Sequence, residues 1–117
     1  MTDNRLKSAA RLESRVAVYV PGTAGVNTAA DNSAHVERAA ALLSELFGGA
    51  SAQSVRGFWM SSAAGLVAED TTVIYSFCTA AALEAGLPRV LDLCEALKAD
   101  LQQEAISLEV NNQLYFI

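Results

Sequence analysis

Charge, histidine, cysteine and proline are all in short supply in this sequence. Only 18% of its 117 residues are charged, and it has one histidine, two cysteines and two prolines. The single histidine, His35, has no Cys, Asp or Glu neighbour at metal-ligand spacing, so no zinc-type site is expected. Cys78 and Cys94 form no close pair, which reads as two buried free thiols rather than a disulfide or a metal clip. No serine sits in a G-x-S-x-G elbow. The seven glycines compose neither G-x-G-x-x-G nor a phosphate loop. Pro21-Gly22-Thr23-Ala24-Gly25 follows a strand, where such a loop could begin, but the next helix starts too late and the Lys-Ser/Thr pair is missing. No cofactor, metal or nucleotide, is therefore expected, and no catalytic residue is assigned. The N-terminal stretch lacks the apolar centre of a signal peptide, and no run approaches the roughly 20 apolar residues of a membrane span. The expected location is cytoplasmic, with no membrane partner.

What remains is apolar: 52% of residues, with a net charge of −5. A chain this poor in charge cannot clothe its whole surface in charged side chains, which favours burial of part of it in a homo-oligomer or against a protein partner. The charge is also uneven. Residues 1–15 carry Arg5, Lys7, Arg11 and Arg15 against Asp3 and Glu13, a net of +2, which leaves −7 for the rest. An acidic body repels phosphate backbones, so nucleic acid is not an expected partner.

The apolar pattern predicts one domain over residues 15–117, preceded by a flexible or weakly helical arm, residues 1–14. Val16, Val18 and Val20 alternate with Ala17 and Tyr19 and end at Pro21-Gly22, a strand signal; Thr23–Asp31 reads as a loop. Val36, Ala39, Ala40, Leu43, Leu46 and Phe47 recur at helical spacing over Ser33–Phe47, stopped by Gly48-Gly49. Val55–Met60 and Leu66–Phe77 read as strands joined by the short turn Ser61–Gly65, hence an antiparallel hairpin. A helical region capped by Thr79 is expected to be divided at Gly86-Leu87-Pro88, with the stripe Val90, Leu91, Cys94, Leu97 and Leu101 in its main part. Ile106–Val110 and Gln113–Ile117 are strands about a tight Asn111-Asn112 turn. The order predicts an α+β fold of ferredoxin-like βαββαβ type, with both helices on one face of an antiparallel sheet and an added C-terminal strand.

The other sheet face is then open, and the candidate functional residues gather there. Alternation puts Tyr19 on it, together with one parity of Val55–Met60. Arg56, Trp59, Glu69 and Tyr75 are the candidate ligand-binding set, since aromatic faces beside an arginine can stack a planar ligand. Tyr19, Phe58, Trp59 and Met60 are the candidate interface set. Glu69 and Asp70 are adjacent in a strand, point to opposite faces, and cannot work as a carboxylate pair.

Phe47-Gly48-Gly49, Gly57-Phe58-Trp59, Gly65-Leu66-Val67-Ala68-Glu69, Gln103-Glu104-Ala105-Ile106 and Tyr115-Phe116-Ile117 together resemble a group of small uncharacterised bacterial and mobile-element proteins. Their signature is FGG…GxW…GxxxE…QEAI…YFI. The resemblance covers residues 15–117 and implies a fold and a stand-alone existence, with no established activity. The first expectation is accordingly a non-catalytic binding or interaction protein that self-associates through the open face. The alternatives are a small-molecule binder or cofactor-free enzyme with a pocket at a subunit interface, and a regulatory or anti-defence accessory of a mobile element.

Overall fold

The computed structural model describes residues 3–25 and 28–117. In chain order they form α1 (Asn4–Lys7), β1 (Ser14–Pro21), β2 (Thr23–Ala24), β3 (Thr28–Ala29), α2 (Ser33–Phe47), β4 (Ser51–Ser61), β5 (Gly65–Cys78), α3 (Ala80–Asp100), β6 (Ser107–Val110) and β7 (Gln113–Phe116). This is a mixed α+β chain: five strands in the order β4-β5-β1-β6-β7, every neighbouring pair antiparallel, with three helices. Strands β2 and β3 form a separate two-stranded ribbon where the sequence predicts a plain loop. No helix among the described residues is long and apolar enough to cross a membrane.

Local chemistry explains most element ends. Gly48 closes α2 with φ 88°, a left-handed conformation that costs glycine nothing, and its N–H donates to the Ser44 carbonyl. Asn111 and Asn112 both take positive φ, 50° and 67°, the geometry of a tight hairpin turn between β6 and β7. Thr79 caps α3 by accepting from the Ala82 N–H at 3.1 Å. The expected division of α3 at Gly86-Leu87-Pro88 does not occur: the helix runs unbroken through Pro88. Proline removes one helical hydrogen bond, but tertiary packing outweighs that loss. Gly86 is buried against α2, where an added Cβ would sit 3.1 Å from the Phe47 ring.

Both long helices bury their stripes against one side of the sheet. Val16, Val18, Val20 and Ile74 belong to a single core with Ala39 and Leu43 from α2 and Leu83, Val90, Leu93, Cys94 and Leu97 from α3. Opposed residues in antiparallel strands share a face. Tyr19, Val73, Tyr75, Glu109 and Leu114 therefore lie on the other side, through the pairs Tyr19↔Val73, Ala17↔Tyr75, Ala17↔Glu109 and Glu109↔Leu114.

The hairpin outgrows the sheet. β1 pairs with β5 only over residues 71–78, so among the described residues Gly65–Asp70 has Arg56–Ser61 as its sole sheet partner. This two-stranded arm leaves Phe58, Trp59, Met60 and Leu66 between 43% and 73% exposed. Core and arm should respond differently to truncation. Ile74→Ala, at a fully buried position, is expected to cost about 2–5 kcal/mol of unfolding free energy. Phe58→Ser, 60% exposed on the arm, should change stability by about 0.5 kcal/mol or less. Urea denaturation followed by circular dichroism reads both.

Candidate functional site

The candidate ligand set separates into three places. Gly57 faces Glu69 and Trp59 faces Val67, so Trp59 and Glu69 are diagonal neighbours on the open-face side of the arm. Tyr75 stands eight residues beyond Val67 on β5, roughly 26 Å at the rise of a strand, and cannot share a small-molecule site with Trp59. Arg56 pairs across the strands with Asp70 and takes the opposite, helix-side parity. Its guanidinium reaches the Asp70 carboxylate at only 4.0 Å with both groups largely exposed. The candidate interface set divides the same way. Tyr19 and Trp59 keep the open-face parity, whereas Phe58 and Met60 pair with Ala68 and Leu66 on the helix side. A one-residue step reverses the face of a strand side chain, and register is not visible before the partner strand is placed.

Tyr75 belongs to a cluster over the centre of the sheet. The Arg15 guanidinium lies 4.3 Å from the Tyr75 ring centroid, and its Nε reaches Glu109 at 3.4 Å. The Tyr19 hydroxyl donates to the other oxygen of Glu109, also at 3.4 Å. Burial, with Glu109 adding to it, pushes the Tyr19 phenol above its ordinary pKa. The cluster sets anion against cation and ring against cation, so its charges are balanced within it. Alternation placed Tyr19 here, but the Arg15–Glu109 pair joins residues 94 positions apart and left no local trace.

Trp59 and Glu69 do line a cleft. Its opposite wall is Gly25 and the segment Gln102–Ala105 that follows α3, and its volume is about 370 Å³, within the range of small-molecule sites. It combines an aromatic face, two carboxylates (Glu69 and Glu104) and two primary amides. A larger cleft, about 630 Å³, lies on the helix side of the arm's base between Gly22, Asn32, Arg56, Asp70, Thr71 and Thr72. That one has no aromatic wall and its two charges oppose each other, so the Trp59–Glu69 cleft is the better candidate. Gln103 and Glu104 appear in the sequence only as part of a signature; their place in a site follows from the fold of the post-helix segment.

The thiols take no part. Cys78 and Cys94 are free and buried; burial, with a smaller contribution from Glu95, pushes the Cys94 thiol up to about 11, far from a nucleophilic thiolate. Among the described residues no group of three His, Cys, Asp or Glu side chains could hold a metal ion.

No protein-family model and no curated protein matches this sequence. Among solved structures, the chain is similar to a phage SAM lyase in complex with S-methyl-5′-thioadenosine. Identity is 20% and the TM-score 0.64, covering 92% of this chain and 93% of that one. A phage SAM lyase in its apo state matches at 18% identity with a TM-score of 0.60, over 91% and 89% of the two chains. At this identity the likeness establishes a shared fold along nearly the whole chain. It also corrects the first functional expectation. The non-catalytic reading rested on missing motifs, yet this fold carries an enzyme, so those absences do not exclude catalysis.

The two arginines are expected to differ in weight. Arg15→Ala removes a half-buried pair and a ring contact and should destabilise the fold by about 1–2 kcal/mol. Arg56→Ala, at an exposed and loose pair, should alter the melting temperature by about 1–2 °C at most. Equal shifts in a thermal melt would contradict this placement.

Proposed function

We propose that this chain is an S-adenosylmethionine (SAM) lyase that works in the Trp59–Glu69 cleft. The observation that carries the reading is the full-length likeness to an enzyme whose structure was solved with methylthioadenosine bound, together with a cleft of suitable size and chemistry in this chain. Methylthioadenosine keeps the methyl and the adenosyl carbon on sulfur. The bond that breaks is therefore the one from sulfur to the Cγ of the amino-acid arm. The substrate's own carboxylate oxygen attacks Cγ, the S–Cγ electron pair moves onto sulfur, and sulfur departs as a neutral thioether. The carbon fragment closes as a lactone. No proton is gained or lost, so the step needs neither an acid–base pair nor a cofactor.

The requirements on the protein are then positioning and dryness. Two opposite charges annihilate in the transition state, which a low-dielectric, water-poor site favours. Trp59 supplies a flat face for the adenine ring. A carboxylate held against the sulfonium would stabilise the ground state more than the transition state. Glu69 accordingly serves the groups that keep their hydrogen bonds throughout, the ribose hydroxyls and the substrate ammonium.

Trp59 is 43% exposed, so one side of the cleft remains wet in a single copy. Self-association through the open face would close it. Phe77, Leu114 and Phe116, 50–73% exposed, share that face by register and support this arrangement. The ferredoxin-like assignment is part of the same reading: three sheet strands in the order β5-β1-β6, flanked by β4 and carrying two helices on one side, fit a split βαβ pattern with β7 added.

Incubation of the purified protein with SAM should release methylthioadenosine and a lactone, resolved by liquid chromatography and mass spectrometry. Glu69→Gln should lower kcat/KM about 10–100-fold, the worth of a charged hydrogen bond. Failure to form methylthioadenosine overturns the lyase reading. Size-exclusion chromatography with light scattering tests self-association separately, and a clean monomer at micromolar concentration would remove the second copy from the scheme.

A further inference from the structure

The wall of the cleft that faces Trp59 and Glu69 is irregular backbone, and the Gln103 side chain gathers several of its carbonyls. The Gln103 side-chain amide turns inward: its Nε2 lies within hydrogen-bond distance of three backbone carbonyls, Gly25 at 2.9 Å, Thr23 at 3.0 Å and Leu101 at 3.2 Å. A primary amide has two hydrogens, so three acceptors converge on two donors. The Gly25 N–H closes the same corner by donating to the Leu101 carbonyl at 2.8 Å, and the Gln103 N–H donates to the Lys98 carbonyl at 3.0 Å. Next to it, Gln102 takes φ +52°, a conformation a non-glycine residue holds only where surrounding contacts impose it. The Thr23 Oγ1 is buried with no hydrogen-bond partner among the described residues. Opening the corner to water would relieve both Gln102 and Thr23, so the closed arrangement depends on the Gln103 amide.

We infer that Gln103 is a positioning residue that clamps the β2 ribbon to the end of α3 and so sets the width of the Trp59–Glu69 cleft. The inference rests on the lyase reading for the cleft's use, but the clamp itself has a test of its own. Its effect runs through Gly25 and Gln102–Ala105, the wall it holds. A residue that only stabilised the fold would change melting temperature without changing how the cleft receives a ligand.

Gln103→Glu gives the decisive readout, because a carboxylate has no hydrogen to offer three carbonyls, whereas the protonated acid has one. The clamp in this variant should be open at pH 8 and partly restored at pH 5. Glu69 and Glu104 line the same cleft, and Lys98 on α3 is engaged with Glu95 at 3.5 Å. These groups are common to both proteins, and the unmutated protein is run at each pH as the reference. Gln103→Met, of similar length and uncharged, removes the donors at every pH and guards against a variant that fails to fold.

Two measurements decide the matter. Amide hydrogen exchange at Gly25 should be at least tenfold faster than in the unmutated protein for Gln103→Met at both pH values, and for Gln103→Glu at pH 8 but much less so at pH 5. Quenching of Trp59, the one tryptophan of the chain, by added methylthioadenosine should show a dissociation constant raised about tenfold with the same pH pattern, as expected for loss of a buried hydrogen-bonding group. Unchanged exchange at Gly25 overturns the clamp. Faster exchange with unchanged affinity overturns the positioning role. If the unmutated protein neither cleaves SAM nor binds methylthioadenosine, the lyase reading falls instead. The clamp is then decided by exchange and by quenching of Trp59 with acrylamide, which should rise in the same variants at the same pH.

Discussion

Strand β1 is hydrogen-bonded on both edges, to β5 along its whole length and to β6 at its centre, and almost every other feature is arranged around that fact. Its valines are fully buried under α2 and α3, which aligns the two helical stripes on one side. Its other parity presents Arg15, Ala17 and Tyr19, and these anchor Tyr75 and Glu109 in a charge-balanced cluster. Because β1 stops at Pro21, the longer β5 continues without it, and the arm bearing Trp59 and Glu69 exists only beyond that point.

A division of labour follows. The central sheet face is electrostatically closed, and the reactive-looking chemistry lies at the periphery, where the arm meets the segment after α3. Sites assembled from irregular backbone on a rigid frame are a common solution, because the frame supplies precision and the loops supply adaptable groups. Here the loop wall is itself constrained by an amide, so the cleft combines a β-arm on one side with a pinned corner on the other. Neither wall contains a residue pair that a motif search would recognise as catalytic, and the intramolecular displacement proposed for the cleft requires none.

Much of the architecture is legible in the sequence. The α2 stripe and the Gly48 stop mark that helix to its last residue, and Asn111-Asn112 marks its hairpin, because in both places local preference and tertiary structure agree. Pro88 misleads since the close approach of Gly86 to Phe47 outweighs a local helix-breaking signal. Ser51–Ser54 looks too polar for a strand, yet it pairs with residues 72–75 of β5; a polar edge strand has no apolar alternation to display. The candidate site was only half visible. Trp59 and Glu69 stand out by residue type and share a face by parity, while Arg56 falls on the wrong side by one residue. Gln103 and Gly25 could not be found at all, since the contact between them is made through backbone carbonyls, which carry no residue code.

The pairing of β1 also has a consequence for how the chain is made. Val16 is opposed to Ser76 on one side and to Val110 on the other, so β1 is made well before the second of its two partner strands. At ordinary elongation rates of about 5–20 residues per second, the 94 residues from Val16 to Val110 correspond to roughly 5–20 s. Throughout that interval a valine-rich segment stands without its full set of partners. The central sheet thereby stays incomplete until the β6–β7 hairpin has emerged.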